Sequence, residues 1–454
     1  MPKVSILIPT RNRPKYCEAA LKSAIDQKFT DIEIIVCDNS NNDATKAVVD
    51  NYLAGYGNMI SYHKNTEDIG MIGNFHKCYE LANGEYINYL MDDDLFHPEK
   101  IYRMLNHFIK DAAVSLVTSY RQLIDDQNER IVDREHNRRM FDVDTVMSGM
   151  ELGDILLRDL CNCVGEPTTV LFRKYDLLDK FGVYRGKQAS NNIDVASWLN
   201  LLKVGKAVYI SSPLSFSRVH TGQESNNLRN KLYGVADWIN HVVNSRSDGF
   251  LKEDKDYCKS LSKLHAIISW LFAIMLNNAH LISDYADESL RDLCASCRLL
   301  PPIGESLLSK AISQMLSVCE KEASLDFDVS AGRIRNYLRE YRRIYLSDLL
   351  GRRPVFIWGA GSHGVKSLEV LRTVGIEALG FVDKDRRKWW NKLKGITIYP
   401  EVILKQNELF PTRPCIIIGS SYVDEIKLEL LEMGYVNKGD VLNIFENGDA
   451  LWLI

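Results

Sequence analysis

The sequence predicts a mixed α/β protein with a parallel-sheet domain in front, a helical middle and a smaller α/β domain at the tail. Three observations carry this. From residue 1 to about 120, short β-branched runs alternate with amphipathic segments long enough for helices, the pattern of βαβ units. Residues 226 to about 349 read almost wholly as helix. From residue 350 the strand and helix alternation resumes around a glycine-rich turn. The expected domains are therefore 1–225, 226–349 and 350–454.

Each element follows from local chemistry. VSILI (Val4 to Ile8) leads into PKYCEAALKSAIDQ, where Pro14 suits a first helical turn because the amide it lacks would be unpaired there. IEIIVCD (Ile32 to Asp38) precedes DATKAVVDNYLAGY, and MISYHKN precedes MIGNFHKCYELANG, whose closing Asn83-Gly84 ends a helix. YINYL is the fourth strand. Beyond residue 114, VSLVTS, TTVLFR and AVYIS read as strands, while DTVMSGMELGDILLRDL and DVASWLNLLKVG read as helices. In the tail, PVFIWGAGSHG, EALGFVD, PCIIIGSS and GDVLNIF supply strands. The most apolar run, Ala266 to Leu276, is about half the length of a membrane span and reads as a buried helix.

Composition narrows the function. A 454-residue chain with 46% hydrophobic residues, a net charge of -4 and a pI near 6.2 has no global basic field, which argues against nucleic acid as a partner. The ten cysteines are scattered, as suits a reducing cytosol. The only CxxC, Cys294 with Cys297, lacks a second pair or a neighbouring histidine and reads as a helical face. The apolar run at the N-terminus is too short for a signal-peptide core, so a cytoplasmic location is expected.

Parallel sheets bind ligands at the carboxyl ends of their strands. Here those ends read PTRNR, CDNSNND, HKNTEDIG and MDDD. Three consecutive aspartates, Asp92, Asp93 and Asp94, repel one another unless a cation offsets their charge, and hard Mg²⁺ or Mn²⁺ prefers carboxylate oxygens. Magnesium is usually held by one or two carboxylates together with substrate phosphates, so a diphosphate partner is expected. A solvated acidic turn capping the helix in HPEKIYRMLNHFIKD is the alternative.

Taken together, VSILIPTRNRPKY, IEIIVCDNSNNDAT, GMIGNFHKCYELANGEYINYLMDDD, NNIDVASWLNLLKVGKAVYI and PLSFSRVHTGQES resemble the family 2 glycosyltransferases, enzymes of the GT-A fold, over residues 1 to about 225. The resemblance implies that Pro9, Thr10 and Arg11 line a nucleotide pocket and that Asp38 accepts from a uracil imide. It places Asn65, Gly70 and Asn74 against the nucleotide, and Asp92 and Asp93 toward ribose or sugar. Asp94 would ligate the metal, with Asp92 and His220 as further ligands, and Arg218 would contact the diphosphate. Asp194, ahead of a tryptophan-containing helix, matches the family's base. The acidic residue often found before it is here Ile193, so Glu166 in VGEPTTVLF is a rival. The implied activity is inverting, metal-dependent transfer from a nucleotide-diphospho-sugar, with a UDP-sugar expected, to a saccharide or lipid-linked saccharide in bacterial surface polysaccharide synthesis. A nucleotidyltransferase would need a glycine-rich basic loop after strand one, and PTRNRPK has no glycine.

The tail carries Gly359, Gly361 and Gly364 in G-x-G-x-x-G, with Asp383 nineteen residues later, the spacing of a dinucleotide fingerprint. It resembles the Rossmann-like tails of sugar-modifying enzymes. No His, Cys or Tyr-Lys pair is placed to act on a nicotinamide, so an ancillary nucleotide site or a scaffold is expected. An NAD-linked tail with a degenerate front is the alternative. The RRKWWNKLKG stretch (Arg386 to Gly395) suits a peripheral membrane contact or an anionic glycolipid, the alternative being a solvated loop whose tryptophans pack inward. The helical middle could join the domains, present the acceptor or build a homo-oligomer.

Overall fold

The computed structural model describes residues 2–133, 137–220, 228–277, 288–301, 353–373, 375–405, 409–410, 412–420, 422–435 and 441–443. Its contacts divide the chain into two units, Met1–Lys263 and Leu264–Ile454. The helix expected at the start of the middle region, Leu228–Ser245, thus falls within the first unit. The middle-region expectation for 302–349 lies outside the described residues. Among the described residues no helix is long and apolar enough to cross a membrane.

The first unit is built on strands β1 (Val4–Thr10), β2 (Ile32–Asp38), β3 (Ile60–Lys64) and β4 (Tyr86–Tyr89), with helices α1 (Pro14–Ile25), α2 (Ala44–Tyr56) and α3 (Gly70–Leu81) between them. All seven β1 residues are buried, as expected of a parallel strand covered on both faces. β1 pairs in parallel with β2, from Val4↔Ile32 to Thr10↔Asp38, and with β4 from Val4↔Tyr86 to Leu7↔Tyr89. β2 pairs in parallel with β3, ending at Asp38↔Lys64. This register sets Thr10, Asp38 and Lys64 side by side, and the chain leaving β4 reaches the same edge at Asp92. Ile6, Ile8, Leu21, Ile34 and Val36 are wholly buried in the core beneath.

Five further strands, among them Leu95–Phe96 paired with the end of Lys206–Arg218, extend this sheet. Leu171–Arg173 runs antiparallel to β4 and to Val114–Ile124. The thirteen-residue strand Lys206–Arg218 runs parallel to Val114–Ile124, with a register shift between Ile210 and Ser215. It carries Arg218 up to the same sheet edge. Two elements differ from expectation. The segment from Thr145 to Ser148, expected to open a helix, is a strand paired with Lys206–Tyr209, because its β-branched residues find a ladder there. The helix begins at Gly149, capped by Ser148 with Glu151 closing a capping box. The expected strand TTVLFR starts later, after a 3₁₀ turn at Pro167–Thr169.

In the second unit the sheet order is Lys392–Leu393, Ile396–Tyr399, Gly380–Val382, Val355–Trp358, Cys415–Ile418 and Val441–Asn443, with parallel pairing through the centre. Val355 and Ile357 pack on one side with Leu368 and Leu371, and Phe356 and Trp358 on the other with Ile426 and Leu430. Gly359 has φ +110, and a Cβ on Gly364 would lie 1.8 Å from the Gly359 carbonyl oxygen, so only glycine lets the helix Ser362–Thr373 start this close to the strand. Cys294 and Cys297 are both buried in the helix Glu288–Cys297.

Candidate functional site

The residues leaving β4 turn back onto the end of β1. The Thr10 hydroxyl donates to Asp92 Oδ2 at 2.8 Å and the Arg11 N–H to the same oxygen at 3.4 Å. Arg13 Nη1 bridges Asp92 Oδ1 at 3.3 Å and Asp93 Oδ2 at 2.9 Å. From the far end of the Lys206–Arg218 strand, the Arg218 N–H donates to Asp94 Oδ1 at 3.0 Å, and His220 Nε2 to Asp93 Oδ2 at 3.1 Å. The Thr168 hydroxyl donates to Asp94 Oδ2 at 2.6 Å. Three distant segments therefore converge on the three aspartates.

The electrostatics are those of an acidic cluster short of positive charge. Burial, with Asp93 beside it, pushes the Asp92 carboxyl up to about 6. Asp94 is also pushed up, by burial first and then by Asp93 and Glu166. The Thr168 hydroxyl and the Arg218 N–H oppose this in part, while the Arg218 guanidinium donates to the carbonyls of Asp93 and Asp125 and to Asn128 Oδ1. Hard carboxylate oxygens with an imidazole alongside fit Mg²⁺ or Mn²⁺. Asp93 Oδ1 takes no hydrogen bond among the described residues, and each Asp94 oxygen accepts one bond while having capacity for two. Among the described residues no three His, Cys, Asp or Glu side chains form a ready-made metal cage; such a cation would be completed by substrate oxygens or water.

Glu166, on a neighbouring loop, lies close enough for its charge to act on both Asp94 and Asp194. Glu166 Oε2 pairs with Arg121 Nε at 2.6 Å, and Thr168, two residues on, holds Asp94. Asp194, in the first turn of the helix Ile193–Leu202, accepts from Asn162 Nδ2 at 2.7 Å and from the Val195 N–H at 2.8 Å. Burial pushes its carboxyl up to about 7 and the charge of Glu166 adds to this. The loop is fixed by Gly165. Its carbonyl accepts from the Trp198 indole at 2.8 Å, its N–H donates to Asn162 Oδ1 at 3.0 Å, and its φ is +107. A Cβ there would stand 2.3 Å from Thr169 Oγ1. Ile193, where an acidic residue would be usual, is buried.

The remaining expected residues lie around the same edge in different roles. Asp38 is fully buried, accepting from the Ser40 N–H at 2.8 Å, Tyr62 hydroxyl at 2.7 Å and Lys64 Nζ at 3.2 Å. Asn65 Nδ2 donates to Asn39 and Asn74, and Asn74 donates to the Cys37 and Thr10 carbonyls, so a buried amide network ties the ends of β1, β2 and β3 together. Pro9 is buried inside β1, Arg11 extends to Asp68 at 2.6 Å, and Gly70 opens α3 with φ +72. Sequence reasoning did not single out Arg13, Thr168 or Asn162. Arg13 stood inside PTRNR and Thr168 two positions after Glu166; nothing local marked Asn162.

In the tail, Asp383 accepts from the Ala360 N–H at 2.8 Å, the Asp385 N–H at 2.9 Å and Lys388 Nζ at 2.9 Å. These bonds hold its carboxyl below the usual range against the opposing effect of burial. The glycine turn and the acid of the fingerprint are thus adjacent. A Cβ on Gly361 would meet open space.

Residues 5–160 match the family model for glycosyl transferase family 2. The front of the chain is similar to this family. A second model, described as C2185-like, N-terminal, matches residues 351–439. An uncharacterised glycosyltransferase of Rickettsia typhi is 29% identical over 239 residues, 51% of this chain and 68% of its own. The chondroitin synthase of Escherichia coli is 25% identical over 225 residues, 50% of this chain but 30% of its own. A GalNAc(5)-diNAcBac-PP-undecaprenol beta-1,3-glucosyltransferase of Campylobacter jejuni is 42% identical over 95 residues, 21% of this chain and 30% of its own. The chain thus spans less than a third of the length of the last two. The GT-A-type sheet expected of a family 2 glycosyltransferase domain, with a separate α/β tail, is the architecture found.

Proposed function

We propose that the protein transfers a sugar from a nucleotide-diphospho-sugar, a UDP-sugar being the expected donor, to a hydroxyl of a saccharide or lipid-linked saccharide. The observation that carries this reading is the convergence of Thr10, Arg13, Thr168, Arg218 and His220 on Asp92, Asp93 and Asp94 at the carboxyl edge of the sheet. The relatives named as a chondroitin synthase and an undecaprenol-linked glucosyltransferase support the acceptor class.

Asp94, with Asp93 and His220 beside it, would hold Mg²⁺ or Mn²⁺. Bound there, the cation would neutralise charge on the departing diphosphate. Arg13 and the Arg11 N–H keep Asp92 oriented toward the sugar. Asp194 takes the proton of the attacking hydroxyl. Its raised basicity, up to about 7, suits a base working near neutral pH, and Asn162 keeps one of its oxygens directed. Glu166, tied to Arg121, tunes that base by its charge. A uracil contact from Asp38 would require Tyr62 or Lys64 to give way.

The test is to incubate the protein with a panel of nucleotide-sugars and Mg²⁺ or Mn²⁺, with a saccharide acceptor or water, and to identify the nucleotide released. Nucleoside diphosphate supports transfer. Sugar 1-phosphate, left when the nucleotidyl group itself is transferred, would identify a nucleotidyltransferase instead.

A further inference from the structure

The RRKWWNKLKG stretch splits its two tryptophans. Trp389 turns inward, its indole donating to the Asp383 carbonyl at 2.6 Å with Arg386 lying 5.6 Å over the ring. Trp390 turns outward and is 65% exposed, while Trp198 and Trp358 are buried and Trp238 and Trp389 are partly covered. Its backbone has φ +66, a genuine outlier for a bulky side chain. It is held there by its N–H to the Ile398 carbonyl at 2.7 Å and an edge contact with Tyr399 at 5.6 Å. Strain of this kind persists only where the surroundings enforce it and gathers at functional positions.

The charge around Trp390 is mostly positive. From Lys384 to Lys394 the chain carries Lys384, Arg386, Arg387, Lys388, Lys392 and Lys394 against the single acid Asp385, in a protein whose net charge is -4. Asp385 takes Arg387, Asp383 takes Lys388 and Glu429 takes Lys384. Lys392 is exposed, and Lys394 faces Glu369 only at 3.9 Å with both side chains more than half exposed. Lys392 and Lys394 sit on a tight hairpin whose turn, Lys394 at φ +54 and Gly395 at φ +88, projects from the edge of the tail sheet.

We propose that this hairpin docks the tail unit on an anionic lipid surface. Trp390 sits at headgroup level, and Arg386, Lys392 and Lys394 face the lipid phosphates. An amphipathic indole is suited to the lipid interface, and a basic patch beside an apolar anchor supplies the two weak signals that peripheral attachment needs. An extended polyanion fits less well, since it would run beyond the hairpin onto a protein of net negative charge. This inference does not depend on the transferase reading.

Cosedimentation of the full chain with phosphatidylcholine vesicles, with and without phosphatidylglycerol, tests it. The protein should pellet with the anionic vesicles only. Lys392→Glu with Lys394→Glu should weaken binding by tenfold or more, at roughly fivefold for each cation lost. Trp390→Ala should also weaken it, and Trp390→Phe should restore part, with circular dichroism melts checking that each variant folds. Equal binding to neutral vesicles, no pelleting with either, or full binding by both folded variants would overturn the proposal.

Discussion

Asn162 donates to Asp194 across thirty-two residues, 2.7 Å from Nδ2 to Oδ2. The bond joins the Gly165 loop to the helix that carries the proposed base, and the same loop holds Asp94 through Thr168. One short segment thus aligns the proposed metal side and the proposed acceptor side of the site.

The pH dependence follows from this bond. With its carboxyl raised to about 7, Asp194 acts as a base only when ionised, so kcat/KM should rise with pH through about 7. A hydrogen bond to the ionised form favours that form, so Asn162→Ala should move the limb to higher pH. An unmoved limb would separate Asn162 from the base.

Asp194→Asn should bind donor normally and lose transfer by about 10² or more, the scale for a positioned general base. If Glu166→Gln behaves this way and Asp194→Asn does not, the base is Glu166. The substitution also has a stability signature. Because the folded carboxyl is raised from 3.8 to about 7, the native state binds the proton more tightly, so its stabilising contribution is full below 3.8 and declines as pH rises toward 7. Asp194→Asn should remove that decline in urea titrations.

Asp94→Asn should fold, since an amide can still meet the Thr168 hydroxyl and the Arg218 N–H. It should weaken Mn²⁺-dependent UDP binding in calorimetry and remove turnover, at a cost of about several kcal/mol of transition-state stabilisation. Full activity in EDTA, or wild-type turnover by this variant, contradicts the assignment.

Lys100 is fully buried, donating to the Thr169 carbonyl at 2.9 Å and lying 5.1 Å over the Phe96 ring. Burial lowers its ammonium well below 10.5. The unfolded chain binds that proton more readily, so native stability should climb as pH rises toward 10.5 and fall as pH drops. Lys100→Met should flatten this slope and raise the melting temperature at neutral pH, because the desolvation relieved exceeds the roughly 1 kcal/mol of one neutral hydrogen bond. A lower melting temperature would show that the bond to Thr169 dominates.

Asp38→Asn tests whether that carboxylate acts inside the fold or on the nucleotide. Three donors converge on it, so the substitution should cost about 1–3 kcal/mol of stability in denaturant melts. A loss confined to UDP affinity, with stability unchanged, would favour the uracil contact.

The local sequence determined the strands and helices around β1 to β4, because β-branched runs and helical periodicity report which faces are buried. It also determined that carboxylates gather at a strand end, since three adjacent aspartates are costly without a partner. What completes the site was decided by tertiary structure. Arg218 and His220 reach Asp94 and Asp93 from 124 and 127 residues away, because Lys206–Arg218 pairs with Val114–Ile124 and shifts register between Ile210 and Ser215. Asn162 finds Asp194 only because Trp198 and a glycine at positive φ fix the loop between them. The Thr145–Ser148 strand and the opposite fates of Trp389 and Trp390 share this origin. Local periodicity says that a residue faces inward or outward, whereas sheet register and loop closure, formed between distant segments, select the neighbour it meets.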